Sequence, residues 1–457
     1  MSEHIVIVGA SVAGSCAVES LLLAGHAGPI TVIGEEPYAP YNRPPLSKDV
    51  IIGTYDAADT DLPRPLGRTA PSVTWKLGVA ATGLDLMTSE VALADGTTVS
   101  YDKLLIATGT RARPWPDSDE AKLVGLLTLR GRDDAERLRG FLDAGPRRVV
   151  IVGGGFMGCE LAAACRKRGL PVTMIDRGPA PLASALGSTI ARRASTMHRA
   201  EGVDLRSEVS VASIRSDASG RVCAVVLDDD NVIETDLVIA ALGAIPNVEW
   251  LEGSGIGTGP QGVACDTGCR VYTTDMMVVD NVFTAGDLAW FPHPLTPGRF
   301  VRLEHWDNAV EMAWVAAHNM VCPLSDRRAH LPIPAFWSTQ YETNIKSLGI
   351  LEIADSVVVT EGSLHEGPFT AVYGRDGIVV GVLAFDGGRT LASYQRLITE
   401  RAPFPPAMTV NNPPEPCEVM AAGFRPRDGT ADAATAVFTG QHFTNRKLRW
   451  VPPANPK

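Results

Sequence analysis

Hydrophobic residues along the chain gather in short unbroken runs rather than in strict alternation. Ile5-Val6-Ile7-Val8, Ile30-Thr31-Val32-Ile33, Val149-Val150-Ile151-Val152 and Val172-Thr173-Met174-Ile175 are β-branched or apolar throughout. Such runs predict strands of a parallel sheet, covered on both faces. Within each successive pair lies a glycine turn and then a helical pattern. Gly9-Ala10-Ser11-Val12-Ala13-Gly14 leads into an apolar helix that reaches Leu23, and Gly153-Gly154-Gly155-Phe156-Met157-Gly158-Cys159-Glu160 leads into Leu161 to Arg168, stopped by Gly169. The chain therefore carries two strand–helix–strand units, 144 residues apart.

The glycines have a physical reading. In Gly-x-Gly-x-x-Gly the first makes the tight turn, the second lets the backbone approach a pyrophosphate, and the third lets helix and strand pack closely. Gly153, Gly155 and Gly158 match in full, whereas Gly9 and Gly14 flank Ser11, a small residue in the middle place. Phosphates would sit at each helix start, where N–H groups lack partners and the dipole is positive. Glu35, twenty-one residues past Gly14, and Asp176, eighteen past Gly158, stand where an acid accepts hydrogen bonds from ribose hydroxyls. A glycine turn between strand and helix is often only a turn, but two units of this form predict two dinucleotide sites. Asp176 favours NADH, because a carboxylate repels a 2′-phosphate, while Arg177 beside it keeps NADPH as the alternative donor.

Elsewhere the pattern changes. Pro40-Tyr41-Asn42-Arg43-Pro44-Pro45-Leu46-Ser47-Lys48 predicts a stiff loop or helix start. After residue 325 helical periodicity gives way to strands, with Thr370 to Tyr373, a turn at Asp376-Gly377, and Ile378 to Leu383 as a hairpin. From Ala402 the chain is rich in proline, then in Gly, Asp and Ala. Residues 401–457 hold seven Lys/Arg against four Asp/Glu, and are expected to be disordered or draped over the surface.

Length and charge narrow the function. At 457 residues the chain should form two or three domains. A net charge of −11 without a basic cluster argues against nucleic acid. The apolar runs are too short to span a membrane, and Met1-Ser2-Glu3-His4 runs straight into the first strand without a signal peptide. The eight cysteines are scattered, with no C-x-x-C; Cys265 and Cys269 have no second pair to complete a metal site, so no metal is expected. A reducing compartment, the cytoplasm, fits best.

At Arg43-Pro44-Pro45-Leu46-Ser47-Lys48 the sequence resembles the FAD-dependent NADH:ferredoxin reductases that serve oxygenases and P450s. The resemblance continues through Ala107-Thr108-Gly109, Leu129-Arg130, Gly243-Ala244-Ile245-Pro246-Asn247, Ala285-Gly286-Asp287 and Glu304-His305-Trp306, and covers about residues 4 to 400. It implies an α/β protein with two Rossmann-like, glutathione reductase-like dinucleotide-binding domains and a small C-terminal α+β domain. The implied limits are 1–112 with 248–325 for FAD, 113–247 for NAD, 326–402 for the C-terminal domain, and 403–457 as an extension. FAD contacts are implied for Gly9, Ser11, Ala13, Gly14, Glu35, Arg43, Pro45, Lys48, Ala81, Ala107, Thr108, Gly109, Arg130, Asp287, Glu304, His305 and Trp306. NADH contacts are implied for Gly153, Gly155, Phe156, Met157, Gly158, Glu160, Asp176 and Gly243.

The same resemblance places Lys48 and Glu160 as a pair beside the flavin, where positive charge favours the reduced anionic ring. Glu160 also reads as a helix first-turn acid complementing the dipole. Trp337 is either a plain core aromatic or a neighbour of the flavin. The related disulfide reductases carry a cysteine pair after the first fingerprint, but here Cys16 stands alone, without a resolving partner. The family's usual glutamine and docking arginine after Asn308-Ala309 are replaced by Met312 and Trp314. The expected acceptor is a ferredoxin-type iron–sulfur protein, with a small organic molecule or O2 as the alternative. A third reading is a flavoprotein whose reduction switches partner binding. The protein is expected to be a monomer or homodimer.

Overall fold

The computed structural model describes residues 3–62, 70, 72–387 and 391–407, together with the backbone of Glu415–Pro416, Thr435–Thr439 and Lys447–Val451. The four apolar runs are strands, Ile5–Val8, Ile30–Gly34, Val149–Val152 and Val172–Asp176, almost wholly buried. They belong to two separate sheets. The first has the order Arg270–Tyr272, Val278–Thr284, Lys103–Ile106, Ile5–Val8, Ile30–Gly34, Val73–Leu77. All its neighbours are parallel except the first pair. The second, wholly parallel, has the order Asp204–Ser207, Val172–Asp176, Val149–Val152, Leu237–Ala240, Leu126–Leu127.

The first sheet is assembled from two distant parts of the chain. Val278–Thr284 returns beside Lys103–Ile106 after the whole second sheet has been formed. Two helices, Val12–Leu23 and Trp306–Val321, pack together on this sheet over Ile5, Ile7, Leu105 and Phe283. On the second helix Asn308, Ala309, Met312, Ala313, Ala316, Ala317 and Met320 are buried, the three-and-four spacing of one face.

The third sheet is antiparallel, ordered Ala335–Gln340, Thr343–Gly349, Ile378–Phe385, Phe369–Arg375, Ser356–Gly362, Glu415–Pro416. The expected hairpin turns at Asp376 and Gly377, both with positive φ (51° and 72°), the geometry that matches strand twist in a two-residue loop. A helix, Leu391–Thr399, covers this sheet with Tyr394 and Ile398. The α/β architecture with a smaller C-terminal α+β unit is as expected. Of the two expectations for the tail, disordered or draped over the surface, the first does not hold where the tail is described: Thr435–Thr439 and Lys447–Val451 form an antiparallel ladder. Glu415–Pro416 pairs with Ser356 and Val357 at the edge of the third sheet, and residues 408–414, 417–434, 440–446 and 452–457 lie outside the described residues.

Candidate functional site

Register brings the predicted residues of the first unit to one edge. Val8 lies opposite both Ile33 and Ile106, and Ile106 lies opposite Thr284. Gly9, Glu35, Ala107-Thr108-Gly109 and Ala285-Gly286-Asp287 therefore leave the sheet together at its carboxyl edge. The chain connects Ile5–Val8 to one neighbour through a helix and reaches the other only later, so this edge is a topological switch point, where open α/β sheets bind ligands. Gly9 has φ +122°, and a Cβ there would lie 2.0 Å from the Ala107 carbonyl oxygen. A Cβ on Gly14 would lie 1.9 Å from the Gly9 oxygen, so the helix can approach the strand only as glycine. Gly286 in turn packs near Ala13, which sets Asp287 beside the helix start.

A charged group surrounds Asp287. Arg130 donates to its Oδ2 at 2.6 Å and to the Thr110 oxygen at 3.1 Å. Arg43 donates to the Arg130 oxygen (3.1 Å) and to Glu36 Oε1 (2.7 Å). Burial pushes the Glu304 carboxyl above its ordinary range, opposed by Arg302 at 2.8 Å. Burial pushes His305 down to about 4, so the ring is neutral at pH 7. Among the described residues, His305 Nδ1 and Trp306 Nε1 are buried without a hydrogen-bond partner. Buried polar atoms are normally paired, and these two mark a place that a polar ligand would complete. The glycine cradle, the acids at ribose positions and these orphaned atoms fit FAD.

The second edge repeats the first. Val152 lies opposite Ile175 and Ala240, which brings Gly153, Asp176 and the Ala241-to-Gly243 turn together. Gly153 has φ +110° with its Cβ position 2.3 Å from the Ala241 oxygen, and that of Gly158 is 2.0 Å from the Gly153 oxygen. The Phe156–Lys167 helix starts at Gly155 with no side-chain cap. Asp176 Oδ1 accepts from Gly178 N at 2.7 Å, and burial raises the carboxyl's pKa. A Cβ on Gly154 would lie 2.0 Å from Asp176 Oδ2, so the loop and the acid are fitted to one another.

The two edges meet at Glu160. Lys48 Nζ lies 2.6 Å from Glu160 Oε2, and Ser47 donates to the same oxygen at 2.5 Å. Ser338, from the C-terminal sheet, donates to Oε1 at 2.7 Å. Pro44–Ser47 is a 3₁₀ turn opened by two prolines, and Lys48 closes it with N–H to the Pro45 oxygen at 3.1 Å. The first-turn reading of Glu160 is corrected. The helix begins at Phe156 and has no acid in its first turn, so Glu160 is placed by its side-chain partners instead.

Other expectations fall differently. Ala81 pairs with Leu93 in a separate small sheet, while its neighbours Gly78 and Val79 donate to the Glu36 and Gly34 oxygens. Trp337 is 39% exposed, which removes the core reading, and its ring meets Trp306 edge-on at 6.3 Å. Met312 is fully buried in the core, so it is no part of any acceptor surface, while Trp314 is 51% exposed. Two residues apart on a helix point to opposite faces. Burial raises the Cys16 thiol to about 11, which leaves little thiolate. Sequence reading missed Ser338, Gln340 and His198. Alternation along Ala335–Gln340 was the signal available, since Ser338 and Gln340 are buried while Trp337 is not.

Two dinucleotide edges bridged by a lysine–glutamate pair define a flavin- and pyridine-nucleotide-binding oxidoreductase. Residues 3–313 match the pyridine nucleotide-disulphide oxidoreductase family, and residues 335–415 match the reductase C-terminal family. The chain belongs to the first family, whose members use FAD and NAD(P)H. It is 34% identical over 402 residues to the anthranilate 1,2-dioxygenase system ferredoxin–NAD(+) reductase component of Burkholderia cepacia, covering 88% of this chain and 95% of that one. It is 31% identical over 424 residues to putidaredoxin reductase of Pseudomonas putida, covering 92% and 97%. Among solved structures, the covalent putidaredoxin reductase–putidaredoxin complex matches with TM-score 0.81 and 30% identity, over 88% of this chain and 94% of the matched chain.

Proposed function

We propose that the chain takes hydride from NADH onto FAD and passes electrons singly to a ferredoxin-type iron–sulfur protein serving an oxygenase or P450. The observation that carries the reading is the Lys48–Glu160 bridge, which at 2.6 Å joins the loop that follows the first sheet's Ile30–Gly34 strand to the helix of the Gly153 edge. Bound FAD would supply a ring that accepts two electrons as hydride and releases them one at a time. The protein's part is to bind, orient and set charge. In this reading the Val12–Leu23 helix start takes the FAD pyrophosphate, with Gly9, Ser11, Ala13 and Gly14 allowing the approach. Glu35 accepts from the adenosine ribose, Asp287 and Arg130 meet the ribityl chain, and Pro45 borders the ring. Lys48 brings positive charge toward the ring's reactive edge, and Glu160 fixes where that charge sits. Asp176 accepts from the NADH ribose. With this reading we take limits of 1–112 with 248–325 for the FAD domain and 113–247 for the NAD domain.

Electrons would leave past half-buried Trp306 and exposed Trp337, whose rings meet edge-on next to the His305–Phe336 ring contact. One observation favours a second reading, direct reduction of a small organic molecule or O2: exposed Trp314 stands where the family's docking arginine is expected. We place the protein in the cytoplasm, because all seven described cysteines are free thiols. No helix among the described residues is long and apolar enough to cross a membrane. Anaerobic titration tests the donor half. NADH should bleach the flavin at least tenfold faster than NADPH at equal concentration. Bleaching by neither nucleotide would overturn the reading.

A further inference from the structure

The strand Ala335–Gln340 turns every second side chain toward the helices of the NAD edge. The Phe336 ring lies 4.2 Å from Phe156, Ser338 donates to Glu160, and Gln340 Oε1 is 3.1 Å from His198 Nε2. The match is geometric. Alternate strand residues are about 6.7 Å apart and helix residues i and i+4 about 6 Å, so Phe336 and Ser338 meet Phe156 and Glu160 in step.

The hydrogen bonds have only one consistent direction. The Glu160 carboxylate can only accept, so Ser338 must donate its single proton to it. Ser338 Oγ then accepts from Gln340 Nε2 at 3.3 Å, which turns the Gln340 oxygen toward His198. That oxygen can only accept, so His198 carries its proton on Nε2 and its Nδ1 accepts from Tyr341 O–H at 3.0 Å. Burial holds His198 neutral, with its pKa down to about 4, as this tautomer needs. Every dipole in the row points its positive end at Glu160.

We propose that Ser338 is a positioning residue for the Glu160–Lys48 pair, with Gln340 and His198 as the strut behind it, so that the C-terminal sheet completes the hydride-transfer site. The inference rests on the reading that Glu160 and Lys48 border the flavin. Anaerobic stopped-flow reduction of FAD-loaded enzyme by NADH tests both, using E160Q, S338A, S338T and S338A/E160Q, with the flavin midpoint potential measured for each. S338A should slow reduction about tenfold, the equivalent of one hydrogen bond to a charged group, with the NADH dissociation constant unchanged. S338T should restore most of the rate. In the E160Q background S338A should add less than twofold, because its acceptor's charge is gone. The potential should fall in S338A, whose carboxylate charge is less compensated, and rise in E160Q. An S338A rate within twofold of wild type, an undiminished effect in the E160Q background, or an unmoved potential in S338A overturns the proposal. Wild-type reduction and potential in E160Q overturn the underlying reading instead.

Discussion

Replacing Lys48 with methionine keeps the length of the side chain and removes its charge. The Lys48–Glu160 pair spans 2.6 Å with side chains 20% and 8% exposed, so Glu160 would be left nearly buried and uncompensated. Removing one partner of a buried ion pair costs about 3–5 kcal/mol. Here Ser47 and Ser338 still donate to the carboxylate, and Lys48 already touches water. We therefore expect a loss of about 2–3 kcal/mol, at or just below the low end of that range. Adding E160Q removes the stranded charge and should return about 1–2 kcal/mol, because the glutamine amide can keep at least one hydroxyl partner. Urea unfolding of the FAD-loaded protein at pH 7, read by flavin fluorescence and far-UV circular dichroism where the two coincide, measures both variants. A K48M midpoint equal to wild type refutes the claim that this is a buried, mutually dependent pair. So does a double variant less stable than K48M.

The other predictions address each edge and the buried histidines. G158A should lose NADH affinity while keeping full FAD content by absorbance, because its Cβ would press on the Gly153 oxygen at 2.0 Å and on nothing in the first sheet; loss of FAD instead would mean the two edges are not separate sites. D176A should raise the NADH KM about ten- to a hundredfold, the range for losing hydrogen bonds to a charged acceptor, and an unchanged KM would remove Asp176 from the site. His198 should make stability fall with pH. Its folded pKa of about 4 lies below the ordinary 6.5, so the unfolded chain binds the extra proton between those values. Its contribution is complete above pH 6.5 and is lost down to pH 4, about 3 kcal/mol in all. Urea midpoints across that window should be flatter in H198Q, and parallel curves would contradict the assignment.

The dinucleotide edges were legible because each is local. Strand, glycine turn, helix, strand and acid lie within about thirty residues, and Gly9, Gly14, Gly153 and Gly158 are needed by the backbone itself. The pairing of Lys48 with Glu160 was reached only through family resemblance. The third partner escaped entirely, because Ser338 is 178 residues from Glu160 and serine is among the commonest surface residues. Met312 and Trp314, which both stand in place of the family's residues, do not share a surface. The three-and-four spacing from Asn308 to Met320 already puts Met312 on the buried face. Trp337 shows the same logic on a strand, where its place next to buried Ser338, on the opposite face, turns it outward.

Electron exit is the claim that matters most, and one measurement reaches it. Enzyme reduced anaerobically with one equivalent of NADH is mixed with a [2Fe–2S] ferredoxin, with air-saturated buffer, or with quinone-type acceptors, and flavin reoxidation is followed by absorbance. The account predicts reoxidation by ferredoxin at least tenfold faster than by the others, with iron–sulfur bleaching matching flavin recovery. Indifference to ferredoxins, with rapid recovery in air or with the small acceptors, would contradict it.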